Sequence, residues 1–231
     1  MELPNLAFEK RIREKGFKYI GGVDEVGRGS FAGPVVAGCV VFRKEIKIPK
    51  KIEINDSKKL TPLKRGKSDE WIRKNALAWG TGEVSAKVID KIGMSKATQM
   101  AFRRAIENAN KRLERRIDYL LIDAFYIPYI RGLPMRRKKA RKDYNLKDGR
   151  ARQLAIKNGD QKSLSIAAAS IVAKEYRDNI MKSLGEKPRY KRYLWVNNKG
   201  YGTKEHGKAI KKYGISKYHR TKFVETFLKK K

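Results

Sequence analysis

Cysteine is almost missing from this chain: Cys39 is the only one among 231 residues. A single thiol excludes an intrachain disulfide, and its place inside the apolar run PVVAGCVVF makes it a small core side chain, in keeping with a reducing compartment. Histidine is nearly as scarce. The two present, His206 and His219, lack the spacing and company of metal ligands, so surface or structural roles are expected of them. Long hydrophobic runs are absent too: no stretch is long enough to span a bilayer, and the opening MELPNLAFEKRIREKG has no apolar core of signal-peptide length. A cytoplasmic protein with no membrane partner is expected.

Negative charge is the last shortage. Against 57 Lys and Arg there are 24 Asp and Glu, a net charge of +33. A surface built for solubility mixes signs, so an excess of this size favours a polyanionic partner, nucleic acid before membrane. The 40% of hydrophobic residues is enough to fold one large domain, or a domain with an appended piece. Nothing apolar is left over for a partner subunit, which predicts a monomer.

What the chain does have is a run of short apolar segments. YIGGVDE and PVVAGCVVF read as strands joined by the glycine-rich turn VGRGSFAG, and LAWGTGEVS, IDYLLIDA and QLAIKNGD as three more. Residues 1–17 predict a charged N-terminal helix. Others are expected near 62–75, over 95–114 with Met100, Ile106 and Leu113 on an alanine-rich face, and over KSLSIAAASIVAKEYRDNIMKSL. From about residue 186 the chain is basic and aromatic, with two further helices. The pattern is α/β: a mixed five-stranded sheet flanked by helices, with an N-terminal helical extension (1–17), a central domain (18–185) and a basic C-terminal helical extension (186–231).

Three of the strand-like runs end at carboxylates: Asp24 with Glu25, Asp123, and Asp160. Strands lie about 4.8 Å apart, so acids at one edge of a sheet can converge on one or two metal ions. Asp24 and Glu25 are adjacent, however, and neighbours in a regular strand face opposite ways, so a bend is expected there. Oxygen donors without His or Cys favour magnesium or manganese over zinc. In so basic a protein, such a centre suggests two-metal hydrolysis of a phosphodiester. Taken singly, Asp160 reads as a turn former or helix cap rather than a ligand, and Gly27-Arg28-Gly29 as an ordinary tight turn whose glycines also let backbone groups approach a sugar or phosphate.

GVDEVGRGSFAGPVVA, NDSKKLT, LLIDA, GDQKSLSIAAASIVAKEYRD and GYGTKEH resemble, in that order and over nearly the whole chain, the signature segments of ribonuclease HII. The resemblance implies the ribonuclease H-like fold and endonucleolytic cleavage of RNA in RNA–DNA hybrids and at single ribonucleotides in duplex DNA, leaving 5′-phosphate and 3′-hydroxyl ends. It implies that Asp24, Glu25, Asp123 and Asp160 are the catalytic acids and hold two Mg2+ or Mn2+ ions. It further implies that Gly27, Arg28 and Gly29 sense the ribose 2′-hydroxyl, and that Tyr201 packs on the sugar beyond the ribonucleotide; without the resemblance Tyr201 reads as a packing or turn residue. Lys58 and Lys59 could face phosphates or be a solvated pair, and Ser163 could contact a phosphate or cap a helix.

One segment departs from the family pattern. Between Arg131 and Arg152 there are ten Lys or Arg and two Asp, a balance of +8, in a stretch that could lie over a bound duplex or be a loop without a role. Each phosphate it neutralised would steepen the salt dependence of affinity by about 0.9 in log–log slope. Two alternatives stand beside this reading. Ribonuclease HIII carries a substantial domain before its acidic motif, whereas 23 residues precede Asp24 here. A non-catalytic binder of ribosomal type would account for the charge but not for acids closing three apolar strands.

Overall fold

The computed structural model describes residues 3–131, 133 and 152–229. Most of the basic stretch between Arg131 and Arg152 lies outside the described residues. Five strands form one sheet: β1 (Ile20–Val26), β2 (Val35–Val41), β3 (Ala78–Val84), β4 (Tyr119–Asp123) and β5 (Gln153–Ile156), in the order β3-β2-β1-β4-β5. The first three are antiparallel neighbours, while β1, β4 and β5 run parallel. All seven residues of β2 are buried. A strand covered on both faces has no need of polar alternation, which is why PVVAGCVVF reads as one apolar run.

The helices are α1 (Ala7–Arg13), α2 (Pro62–Asn75), α3 (Ala86–Ile92), α4 (Met94–Asn110), α5 (Leu164–Glu186), α6 (Trp195–Asn198), α7 (Lys204–Tyr213) and α8 (Thr221–Lys229). Helix α2 starts where the sequence says it should, with Thr61 as N-cap and Pro62 in the first turn. The helix expected over 95–114 ends at Asn110, so Leu113 lies beyond it; the buried face is Ala97, Ala101, Phe102, Ala105, Ile106 and Ala109. Those alanines pack α4 on one face of the sheet, and the small residues of α5 pack on the other. Contact on the α5 side is close enough that a Cβ on Gly38 would run into the Ala169 carbonyl.

The N-terminal segment docks beneath α5. Glu9, 1% exposed, accepts hydrogen bonds from the Ser163 hydroxyl (2.7 Å) and from the Ser165 amide (3.0 Å), placing a carboxylate against the positive end of a 23-residue helix. Asn5 adds main-chain bonds to Lys162 and Leu164. This arm therefore steadies the turn that carries Asp160.

The C-terminal segment packs through aromatics around Trp195, with Tyr190, Tyr193 and Tyr218. His206 and His219 are both buried there, so of their two expected roles the structural one holds and the surface one does not. The Ser216 amide donates to His219 Nδ1 and the Trp195 indole to His206 Nε2, which fixes both tautomers. His219 Nε2–H then donates to His206 Nε2 (3.1 Å), and His206 Nδ1–H to the Tyr201 carbonyl (2.8 Å). Both rings must be neutral for this relay. Burial, and then the neighbouring His206, hold His219 down to about 4. A depressed folded-state value means stability that is present above the unfolded value near 6.5 and lost as pH falls toward 4. Urea unfolding should therefore show a loss of about 2 kcal/mol from this residue between pH 7 and pH 5. In His219→Gln, which cannot titrate, that pH-dependent part should be largely absent; an unchanged difference would count against the relay.

Candidate active site

The acids meet at one edge of the sheet, but not by a bend. Strand β1 continues in regular pairing through Asp24↔Gly38, Glu25↔Ala37 and Val26↔Val36, which corrects the expectation that the chain turns at the carboxylates. Successive side chains therefore point to opposite faces. Asp24 faces α5, whose Ser170 hydroxyl donates to its carboxylate, while the longer Glu25 on the other face meets Arg28 at 3.3 Å. The parallel register pairs Val23 with Ile122, so the next residues, Asp24 and Asp123, stand side by side. Asp160 is not at a strand end: β5 stops at Ile156, and Asp160 sits in the short 3-10 turn Gly159–Gln161. That turn is tied to the other acids because the Gly159 amide donates to Asp123 Oδ1 at 2.8 Å.

The electrostatics are those of carboxylates packed together. Burial, and then the charges of Glu25 and Asp123, hold Asp24 well above the usual carboxylate range. Burial also raises Glu25, with Arg28 opposing it and Asp123 adding to it. Asp160 is pushed up to about 6, first by burial and then by Asp56 and Asp123, against the nearby charges of Lys58 and Lys59. Glu25 Oε2 is buried and has no hydrogen-bond partner. An all-oxygen donor set with a free buried lone pair and mutually repelling charges suits a hard divalent cation. Among the described residues no group of three or more such side chains is placed to hold an ion as it stands, so binding would require the carboxylates to rotate together.

The other predicted positions divide. Lys58 and Lys59 are exposed and lie near enough to Asp160 to act on its charge. Gly27, Arg28 and Gly29 follow β1 directly; Gly27 has a φ of +89°, in the region that favours glycine, and a Cβ there would overlap Arg177. Tyr201 is joined to this loop through Gly200, whose carbonyl accepts from the Phe31 and Ala32 amides at 2.8 and 3.1 Å. Ser163 is different. It is fully buried, caps α5 through the Ile166 amide and donates to Glu9, so of its two expected roles the structure has the cap and leaves no hydroxyl for a phosphate.

Several participants carried no signal of their own in the sequence. Asp56 accepts from Gln161 Nε2 at 3.3 Å and adds a fifth carboxylate beside Asp160. Ser57 lies 2.9 Å from Ser170, linking the lysine loop to the hydroxyl that serves Asp24. Both lie within NDSKKLT, where the lysine pair is the conspicuous feature. Arg177 and Arg220 are buried behind the Gly27–Pro34 loop, and in a chain with 57 basic residues nothing marks two of them as internal.

The model of the ribonuclease HII family matches residues 21–226. A ribonuclease HII of Caldanaerobacter subterraneus subsp. tengcongensis is 46% identical over 222 residues, covering 96% of this chain and 80% of the relative. Among solved structures, ribonuclease H2 from Pyrococcus horikoshii matches with a TM-score of 0.64 and 26% identity, over 91% of this chain and 99% of that one. The structure titled Bst-RNase HIII in complex with Mn2+ shares the fold, with a TM-score of 0.64 and 16% identity over 93% of this chain and 71% of its own.

Proposed function

Because the chain belongs to the ribonuclease HII family, and is thereby a type 2 ribonuclease H acting on RNA–DNA hybrids, we propose that it also cuts on the 5′ side of ribonucleotides embedded in duplex DNA. The products would carry 5′-phosphate and 3′-hydroxyl ends, and the role would be removal of misincorporated ribonucleotides and RNA primers. The likeness to ribonuclease HIII is one of fold, whereas the family match and the sequence identity favour HII.

The observation that carries the reading is the side-by-side placement of Asp24 and Asp123, with Glu25 on the same edge and Asp160 tied to Asp123 through Gly159. In this reading the four acids hold two magnesium or manganese ions. Ions bound there would supply Lewis-acid polarisation of the phosphodiester and would make a water easy enough to deprotonate for hydroxide to attack. Asp24 is oriented by Ser170 and by the Glu25 amide, which donates to it at 2.7 Å. Lys58 and Lys59 contact backbone phosphates beside Asp160. Backbone groups of Gly27, Arg28 and Gly29 read the 2′-hydroxyl, the one group that separates RNA from DNA at a given nucleotide. Tyr201 supports the sugar beyond it, and the basic segment from residue 186 adds electrostatic grip.

An end-labelled DNA duplex with a single ribonucleotide tests this directly. Cleavage at its 5′ side in magnesium or manganese, and none on all-DNA duplex, is the expected result; binding without cleavage would refute it. The acids also predict a pH-dependent response to metal. Their raised folded-state values mean that stability is greatest below the unfolded value near 4 and is lost as pH rises through about 6 for Asp160, with the raised Asp24 acting in the same direction. A divalent ion relieves that cost, so magnesium should raise the melting temperature more at pH 8 than at pH 5. An equal rise at both values would place the ion elsewhere.

A further inference from the structure

Arg177 and Arg220 are completely buried, and their donors go to carbonyls and one hydroxyl rather than to carboxylates. Arg177 donates through Nε to Pro34 O (3.0 Å), through Nη2 to Ser30 Oγ (2.9 Å) and Ala32 O (3.1 Å), and through Nη1 to Lys199 O (2.9 Å). Its guanidinium also lies 5.0 Å from the centre of the Tyr201 ring and packs directly under Gly27. Arg220 donates to Gly33 O from Nε (3.1 Å) and Nη2 (2.9 Å), and to Arg28 O from Nη1 (2.7 Å). Burial, and then the like charge of Arg177, hold Arg220 down to about 9.

A buried guanidinium is expensive, and core packing alone would be served as well by an apolar side chain of similar volume. What an apolar side chain cannot do is join several carbonyls of one loop to a second segment. Arg177 does this with a planar fork of five donors. It touches the loop at Ser30, Ala32 and Pro34 and the second segment at Lys199 and Tyr201. Arg220 directs its hydrogen bonds to the loop alone, at Arg28 and Gly33, and its guanidinium otherwise lies 5.4 Å from the centre of the Phe223 ring.

We infer that Arg177 is a positioning residue for sugar recognition: it sets the spacing between the Gly27–Pro34 loop and Tyr201, whereas Arg220 fixes the loop by itself. This rests on the proposed reading that the loop senses the 2′-hydroxyl and Tyr201 the adjoining deoxyribose. An embedded ribonucleotide needs both elements at their correct separation. A continuous hybrid presents a 2′-hydroxyl at every step and no junction for Tyr201 to detect, so it depends on the loop alone. Loss of Arg177 therefore falls more heavily on the first substrate, and loss of Arg220 on both alike.

The test measures kcat and KM on two duplexes, one with a single embedded ribonucleotide and one a continuous RNA–DNA hybrid. The proteins are the wild type, Arg177→Met, Arg177→Lys, Arg220→Met and Ser30→Ala, with activity scaled to the folded fraction from near-UV circular dichroism. For Arg177→Met, kcat/KM on the embedded ribonucleotide should fall about tenfold further than on the hybrid, since a displacement below 1 Å is enough for such a change. Arg177→Lys should lie between it and the wild type, because charge remains but the fork is gone. Arg220→Met should lower both substrates by the same factor. Should Arg177→Met fail to fold, Ser30→Ala decides: it removes one small buried partner of Arg177 and should move the ratio about threefold in the same direction. An unchanged substrate ratio in the folded Arg177 and Ser30 variants overturns the positioning role while leaving the activity standing. A wild type that cuts the hybrid but not the embedded ribonucleotide instead removes the reading on which the role depends.

Discussion

Replacing Asp24 by Asn lowers cleavage about a thousandfold or more and leaves a protein that, without metal, is more stable at pH 8 than the parent. Both results come from the same carboxylate. Asp24 lies on the buried face of β1 beneath α5, beside Asp123 and one residue from Glu25, and its ionised form is disfavoured by burial and by both neighbours. In the asparagine variant the side-chain oxygen still accepts from the Glu25 amide, so that local hydrogen bond survives while the charge does not. The repulsion disappears, and with it one oxygen donor of the proposed metal site. Rates on a labelled hybrid and melting curves with and without magnesium read the two effects together. A variant that stays active would move the catalytic centre away from this sheet edge, and one that is less stable would show that Asp24 serves the fold.

Replacing Gly38 by Ala costs about 3 kcal/mol or more, which in a chain of this size lowers the melting temperature by about 10 °C. The position lies in β2 directly opposite Asp24, and an added methyl would meet the Ala169 carbonyl in the middle of α5. A flexible side chain could move aside; a helix backbone cannot without lifting the helix from the sheet. Because α5 also carries Ser170, the same displacement loosens the group that orients Asp24. Activity should therefore fall even at temperatures where the variant is folded. Thermal melting checks the first effect, and rates well below the transition check the second. A shift of a degree or two would mean that α5 can lift from β2 at little cost.

The strands, the principal helices and the acids of the candidate site were legible in the sequence because each is written in short-range pattern. An unbroken apolar run such as PVVAGCVVF signals a strand, and a carboxylate closing an apolar segment signals a place at a sheet edge, which holds for Asp24, Glu25 and Asp123 though not for Asp160. The scarcity of cysteine, the excess of positive charge and the lack of a bilayer-length apolar stretch also follow from composition, and among the described residues no helix is long and apolar enough to cross a membrane.

Tertiary structure alone decided the rest. Asp24 and Glu25 serve one edge from opposite faces of an unbent strand, because the reach of Glu25 and the neighbouring end of β4 do what a bend was expected to do. Ser163 caps α5 through the Ile166 amide, and its hydroxyl proton is taken up by Glu9, which lies 154 residues earlier in the chain. His206, His219, Arg177 and Arg220 are indistinguishable in sequence from surface residues, and they became an internal frame for Tyr201 and the glycine loop. Periodicity records which face of an element is apolar over a few residues. It does not record which distant groups that burial brings together, and a buried polar side chain has a role only when those partners are in place.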